Sequence, residues 1–227
     1  ITYCVLNQLP LGAIPVLLPV TAVAVGVLEG QDVNLSMSRA LARLRKKFPE
    51  VTVELERNSF RNLRSGLDNC RFDLIITLSF EIEGRRDWAW ESLRSQRGAM
   101  AINRANPLAD KPDLGLSDLR DESFVAISKD ESPGGYEQLL IQCASAGFYP
   151  NIVREAGTLE SLLLCVEMGL GVALIDRNTR LERNDAVRII TIPNSLRSDV
   201  VAVWQADNFN PMIRHLINEL LAAGEDG

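Results

Sequence analysis

Apolar runs and amphipathic segments alternate along the first third of the chain. An apolar run over residues 23–28 precedes a helix that Asn34 caps, and a strand that alternates from Val51 follows. A second helix and a nearly all-apolar strand over residues 73–78 complete this part. Because strands that alternate with helices are typical of a parallel sheet, we predict an α/β module over residues 23–78.

The same order of segments returns over residues 124–175. Three apolar runs predict strands, and Ser132 and Thr158 are positioned to cap the helices between them. Pro133 follows Ser132 at the first helical position, where a missing N–H group is tolerated. The three runs cover residues 124–128, 151–155 and 171–175.

Two further helix starts lie outside this second module. Asn58 or Ser59 opens the second helix of the first module, and Asn210-Pro211 opens the last helix of the chain.

Two further strands, near residues 98–102 and 199–204, are positioned to connect the modules. We therefore predict an α/β fold of two Rossmann-like lobes joined by two crossover strands. Such lobes leave a cleft, and helix N-termini at its border offer free N–H groups to a small anion or polar metabolite. The expected boundaries are a Pro-rich lead-in of unknown role over residues 1–22, lobe I over residues 23–98 plus 200–223, and lobe II over residues 99–199.

Composition excludes several classes of protein. The chain has 227 residues, of which 46% are apolar and 24% charged, so it is neither disordered nor collagen-like. Its net charge of −6 argues against a free-standing nucleic-acid binder. The four cysteines are widely spaced without a CxxC pair, which argues against a zinc site and favours a reducing compartment. The one histidine, His215, makes histidine-dependent catalysis improbable, and we expect no metal and no cofactor.

The N-terminal segment has no charged residue before Glu29. Residues 9–28 are long enough to span a membrane, but three prolines interrupt them and each removes a backbone hydrogen-bond donor. Residues 22–24 (AVA) resemble a signal-peptide cleavage site, but no basic segment precedes them. We therefore expect a cytoplasmic protein without a membrane partner.

Several segments, in their order and spacing over residues 23–221, resemble the effector-binding domain of LysR-type transcriptional regulators. No single motif is exclusive to that family, and the order carries the resemblance. The segments are residues 25–31 (VGVLEGQ), 43–49 (RLRKKFP), 51–55 (VTVEL), 67–76 (LDNCRFDLII), 106–109 (NPLA), 116–125 (LSDLRDESFV) and 155–175 (EAGTLESLLLCVEMGLGVALI).

The resemblance implies a type II periplasmic-binding-protein-like fold and a ligand-sensing domain that is not an enzyme. A small-molecule effector, polar or anionic, would bind in the inter-lobe cleft and change the geometry of a homodimer or tetramer. DNA would be contacted only through a helix-turn-helix domain, for which about twenty residues before the first strand leave no room. The alternative is a periplasmic-type solute-binding protein of a transporter, which the chargeless N-terminus and residues 22–24 favour.

The resemblance also implies that strand-to-helix loops hold the effector. Their helix starts carry free N–H groups, but each loop residue is equally consistent with a plain turn, cap or strand end. The hydroxyl of Thr158 in particular either contacts the ligand or caps its own helix. The candidate ligand-binding residues are Gly30, Gln31 and Asp32 in the first loop, Thr77, Leu78 and Ser79 in the second, Ser128, Lys129, Ser132 and Gly134 in the third, and Thr158 in the fourth.

Overall fold

The computed structural model describes residues 22–180, 185–193 and 195–225. The Pro-rich lead-in therefore lies, up to residue 21, outside the described residues. The last seven residues of the apolar stretch over residues 9–28 form a β-strand, Ala22–Leu28. Among the described residues, no helix has both the length and the apolar character that a bilayer crossing requires.

Strands and helices alternate along the described chain, and each element that the pattern predicts is present. Short 3-10 turns at Ser79–Glu81, Pro107–Asp110 and Leu116–Leu119 separate some of them. In chain order the elements are β1 (Ala22–Leu28), α1 (Asn34–Lys47), β2 (Thr52–Asn58), α2 (Phe60–Asp68), β3 (Leu74–Leu78), β4 (Trp88–Asn103), β5 (Ser123–Ile127), α3 (Pro133–Ser145), β6 (Asn151–Ala156), α4 (Leu159–Glu167), β7 (Ala173–Asp176), β8 (Val187–Thr191), β9 (Arg197–Gln205) and α5 (Pro211–Glu225).

The chain divides into two compact units, and β4 and β9 each contribute residues to both. Residues 79–83, which the sequence groups with lobe I, cluster with the second unit, because the turn that they form packs on α3. Unit 1 comprises the described residues up to Leu78, Gly84–Arg94 and the chain from Val200 onward, and unit 2 comprises Ser79–Glu83 and Ser95–Asp199.

Unit 1 is built on a mixed sheet. β1 lies between β2 and β3 and is parallel to both, with Val25 opposite Leu55 and Leu74. β3 pairs on its other side with antiparallel β9, where Ile76 lies opposite Ala202. All five residues of β3 are buried, as its continuous apolar run predicts for a strand covered on both faces.

The helices of unit 1 bury one apolar stripe each. In α1 the buried residues Met37, Ala40 and Leu44 recur at helical spacing, and α1 packs against α5. The ammonium group of Lys47, at the end of α1, donates a hydrogen bond to the carboxylate of Glu219 in α5. The two helices are therefore joined by both apolar packing and an ion pair.

Two cap predictions in unit 1 have different outcomes. Ser59 caps α2, since its side chain accepts a hydrogen bond from the backbone N–H of Asn62. The prediction that Asn34 caps α1 is wrong, because Val33 occupies the cap position and Asn34 is the first helical residue. The side-chain oxygen of Asn34 instead accepts a hydrogen bond of 2.9 Å from Nη2 of Arg57 in β2.

A buried carboxylate links three parts of unit 1. Asp73 is fully buried, and its Oδ2 accepts a hydrogen bond of 2.9 Å from the backbone N–H of Ala24 in β1. Its Oδ1 accepts one of 3.4 Å from Nδ2 of Asn208, in the loop before α5. Burial raises the pKa of Asp73 above its usual value, although both hydrogen bonds act in the opposite direction.

Unit 2 contains an antiparallel group and a parallel pair. The second half of β4 pairs with β7 on one side and with β8 on the other, both antiparallel. The sequence predicts a strand only over residues 98–102 here, but β4 extends over sixteen residues and includes part of unit 1. β5 and β6 are parallel, and a bridge between Phe124 and Val172 connects β5 to the segment before β7.

The core of unit 2 lies on both sides of these strands. One cluster includes Met100, Phe124 and Phe148. The ring centroids of Phe124 and Phe148 lie 6.0 Å apart. A second cluster packs α4 against the sheet through Leu162 and Val166. Both helices therefore bury residues in a core, α3 through Leu139 and Cys143 and α4 through Leu162 and Val166.

We predict that Asp73 makes the stability of the protein depend on pH. Because its pKa is raised in the folded state, the folded protein binds this proton more tightly than the unfolded chain does. The stabilisation from protonated Asp73 is complete below the pKa that this group has in the unfolded chain. It is lost as the pH rises through the higher pKa that Asp73 has in the folded protein. Urea unfolding of the wild type and Asp73→Asn between about pH 3 and pH 7 measures this effect. The wild type is expected to lose stability relative to the variant as pH rises, and a constant difference would contradict it.

We predict that Gly171→Ala destabilises unit 2. A Cβ atom at this position would lie 2.6 Å from the backbone oxygen of Ser123, which cannot move without disturbing β5. The expected loss is about 1–3 kcal/mol of unfolding free energy, measured by denaturant titration. Gly157→Ala is the matched control, because a Cβ there meets no atom within 4 Å. Equal stability of the two variants would refute the steric argument.

Candidate functional site

The first candidate loop connects β1 to α1 and is held by the protein's own groups. Gly30 has a positive φ of 75°, a conformation that glycine adopts without strain. Gln31 is buried, and its backbone oxygen accepts a hydrogen bond of 3.1 Å from Nη1 of Arg57. Asp32 is exposed, and its Oδ1 lies 3.5 Å from the N–H of Asn34. The accessible chemistry of this loop is therefore the carboxylate of Asp32.

The second candidate loop divides between the two units. Thr77 and Leu78 belong to β3, where they pair with Val201 and Val200, and both side chains are buried. Ser79 begins the 3-10 turn of unit 2, and its hydroxyl accepts a hydrogen bond of 3.1 Å from the N–H of Asp199. Only Ser79 of the three is partly accessible to solvent.

The third candidate loop leads into the N-terminus of α3. Ser132 is fully buried, and its hydroxyl accepts a hydrogen bond of 3.0 Å from the N–H of Gly135, so that it caps the helix as predicted. The same hydroxyl donates a hydrogen bond to the carboxylate of Glu81. An acidic group from the chain itself thus lies at the positive end of α3.

Gly134 permits a close approach of two backbones at the same helix terminus. A Cβ on Gly134 would lie 2.2 Å from the backbone oxygen of Phe80, a distance that no side chain tolerates. The 3-10 turn Ser79–Glu81 is therefore seated directly on the first turn of α3. This contact accounts for the glycine without a ligand.

The remaining loop residues differ in accessibility. The hydroxyl of Ser128 accepts a hydrogen bond of 3.3 Å from the N–H of Glu131, and Lys129 is exposed. Thr158 caps α4, since its Oγ1 accepts a hydrogen bond of 3.1 Å from the N–H of Ser161 and donates one of 3.0 Å to the hydroxyl of Ser161. The expectation that Thr158 caps its own helix is confirmed.

Nucleophilic and metal chemistry find little support among the described residues. Burial raises the pKa of the Cys143 thiol to about 11, which leaves it protonated at neutral pH. His215 is exposed and its ring lies 4.6 Å from that of Phe48. Within residues 22–180, 185–193 and 195–225, no group of three or more His, Cys, Asp or Glu side chains is arranged to hold a metal ion.

Sequence reasoning missed Arg94, in the first half of β4. Its Nε and Nη2 atoms are buried and have no hydrogen-bond partner among the described residues. The strand pattern gives no clear signal for this residue, because Trp88 and Gln96, which share its parity in β4, are buried but Trp90 is 53% exposed. Buried arginine nitrogens need an acceptor.

Unit 2 also has a cavity of about 560 Å³ near the C-terminal end of α4. Its lining includes the acidic residues Asp121, Glu122 and Glu167 and contains no lysine or arginine. Nδ2 of Asn106 donates a hydrogen bond of 2.9 Å to Glu122. The sign of these charges disfavours an anionic ligand here.

Comparison with known proteins decides the family. The model of the LysR substrate binding domain matches residues 23–225. The chain belongs to this family. Its α/β structure has the type II periplasmic-binding-protein-like fold of LysR effector-binding domains, so the fold expected from the resemblance is confirmed.

Curated and solved relatives of this LysR-family chain are distant in sequence. It is similar to the HTH-type transcriptional regulator AlsR of Bacillus subtilis (strain 168), with 29% identity over 175 residues, which are 77% of this chain and 57% of AlsR. It is also similar to HTH-type transcriptional regulator BudR of Raoultella terrigena, with 21% identity over 79% of this chain and 62% of BudR. The LysR-family chain thus spans little more than half the length of these relatives.

The fold recurs in solved structures that contain ligands. The effector-binding domain of QuiR in complex with shikimate matches with a TM-score of 0.76 and 16% identity, covering 90% of this LysR-family chain and 97% of QuiR's. The regulatory domain of CcmR from Synechocystis PCC6803, in complex with 2-PG, matches with a TM-score of 0.73 and 17% identity, over 90% and 98% of the two chains.

We predict that Thr158→Ala lowers the free energy of unfolding by about 1 kcal/mol, because the first turn of α4 loses its capping acceptor. Thr158→Ser keeps a hydroxyl at the same position and is expected to retain most of that stability. Urea unfolding of both variants measures the difference. An equal loss in the two variants would show that the methyl group of Thr158, not the cap, stabilises the helix.

Proposed function

We propose that this chain is the effector-sensing part of a LysR-type transcriptional regulator and binds a small polar or anionic metabolite without chemically changing it. The match of the LysR substrate binding domain over residues 23–225 carries this proposal. The transporter alternative is not favoured, because the curated relatives are transcriptional regulators.

The accessible polar groups at the strand-to-helix loops support an effector role. Asp32 and Lys129 are exposed, and Ser79, Ser128 and Thr158 are partly exposed. Asp32 lies in the loop before α1, Ser128 and Lys129 lie in the loop before α3, and Thr158 caps α4. Helix starts offer N–H groups and a positive dipole end to polar ligands. The candidates Gln31, Thr77, Leu78 and Ser132 are buried.

In this proposal the effector acts by changing an equilibrium between conformations. A ligand shifts such an equilibrium only as far as its affinities for the two conformations differ. The sensing chain works as a cytoplasmic homodimer or tetramer, and DNA is contacted only through a helix-turn-helix domain. The structures of QuiR in complex with shikimate and of CcmR in complex with 2-PG indicate the size of ligand that this fold accommodates.

We predict that small organic anions raise the melting temperature of the chain, because a ligand that binds only the folded state stabilises it. A thermal-shift screen that includes shikimate and 2-PG, followed by calorimetric titration of each hit, tests this. Lys129→Gln is expected to weaken a hit about tenfold or more through loss of a charge-assisted hydrogen bond. Lys46→Gln, an exposed lysine in α1, is the matched control. A screen without hits would contradict the proposed function, and equal affinity of both variants would remove Lys129 from the site.

A further inference from the structure

Arg94 presents two buried donors that point to a missing acceptor. Nε and Nη2 are both buried, and neither has a hydrogen-bond partner among the described residues. These two nitrogens lie on the same edge of the guanidinium plane, and their N–H bonds are nearly parallel. That edge is the fork with which arginine binds a carboxylate or a phosphate through two hydrogen bonds. The pair of unpartnered atoms is therefore complementary to one oxyanion.

Two nitrogens of the half-buried Arg94 have neither exposure to water nor an acceptor among the described residues. A buried donor without a hydrogen bond is costly, because it loses its hydration without gaining a partner. Most buried polar groups in folded proteins have a hydrogen-bond partner. Four other described residues have one unpartnered buried atom each, whereas Arg94 has two on one charged group; the four are Asn58, Trp88, Gln142 and Asn210. An incoming oxyanion supplies both the negative charge and the two acceptors.

The strand around Arg94 suits a small organic anion. Ser92 and Trp90 precede Arg94 on the same face of β4, at spacings of about 7 Å and 14 Å along a strand. The side chain of Trp90 is 53% exposed, although the indole is a large apolar group. This face therefore offers a cation at one end and an aromatic surface at the other, and all three residues belong to unit 1.

Two other features of the structure lack the charge that an anion requires. The cavity of unit 2 has an acidic lining. The N-terminus of α3 already holds the carboxylate of Glu81. Arg94 differs from both, since it contributes a positive charge whose donors are unsatisfied.

We propose that Arg94 is an oxyanion-binding residue, which takes the carboxylate or phosphate group of a small molecule on its Nε and Nη2 edge. This inference rests on the proposed function and assigns the anionic group of the effector to a residue. Because both nitrogens are buried, the anion reaches them only when the surrounding segment opens.

Arginine-selective NMR on the 227-residue chain tests the proposal with inorganic phosphate and acetate as probes. The Nε–H signal of Arg94, assigned by its loss in Arg94→Lys, is expected to shift saturably with added anion. Arg94→Lys keeps the charge but loses the fork, so its affinity in thermal-shift titrations is expected to fall about tenfold. Arg94→Gln is expected to abolish binding, whereas Arg97→Gln, an exposed arginine three residues further along β4, is expected to bind as the wild type does.

Each outcome decides the proposal. A shift with both probes supports a general oxyanion fork, and a shift with phosphate alone supports a phosphate-bearing ligand. An Arg94 signal that does not move with either probe overturns the proposal, as does equal binding by the wild type and Arg94→Gln.

Without anion, Arg94→Gln is expected to melt no lower than the wild type. A lower melting temperature together with no anion effect would show a purely structural arginine. The probes are independent of the metabolite screen, so a failed screen with a responsive Arg94 would refute the proposed function alone.

Discussion

The first backbone N–H groups of a helix have no acceptor within the helix, and this constraint shapes two of the four candidate loops, those that lead into α3 and α4. Ser59, Ser132 and Thr158 each place a side-chain oxygen on such a group, and Asn210 does the same for the N–H of Met212. Some of the N–H donors in the candidate ligand-binding loops are thereby already bonded to side chains of the protein itself. A ligand at these positions competes with, or adds to, hydrogen bonds that already exist.

Two charged side chains, Glu81 and Arg94, show how the protein's own groups affect anion binding. The start of α3 carries the carboxylate of Glu81, which satisfies Ser132 and complements the helix dipole. The guanidinium of Arg94 is the opposite case, a cation whose donors on one edge have no acceptor among the described residues. Recognition of an anion depends on donors that are free to receive it, so an unsatisfied arginine is more informative than a satisfied helix start.

Burial separates the candidate residues further. Thr77 and Leu78 stand at the carboxyl end of a parallel strand, a common place for ligands in α/β sheets, yet both side chains are packed in the core. Gly134 is the kind of residue that allows close approach of a ligand, but the backbone of Phe80 occupies that space. Position along the chain led to the candidate loops, and only packing showed which atoms in them remain accessible.

The sequence alone determined what depends on neighbours along the chain. Strand and helix order follow from apolar periodicity, and the caps at Ser132 and Thr158 follow from side chains that reach only three residues ahead. The tertiary structure decided what depends on distant partners. Asn34 is the first residue of α1 and not its cap, and its side-chain oxygen accepts a hydrogen bond from Arg57 of β2. Arg94 became a candidate site because folding buried two of its donors without an acceptor among the described residues. Hydrophobic periodicity is a local property that the sequence displays directly, whereas the pairing of buried polar groups is settled only when separate segments meet.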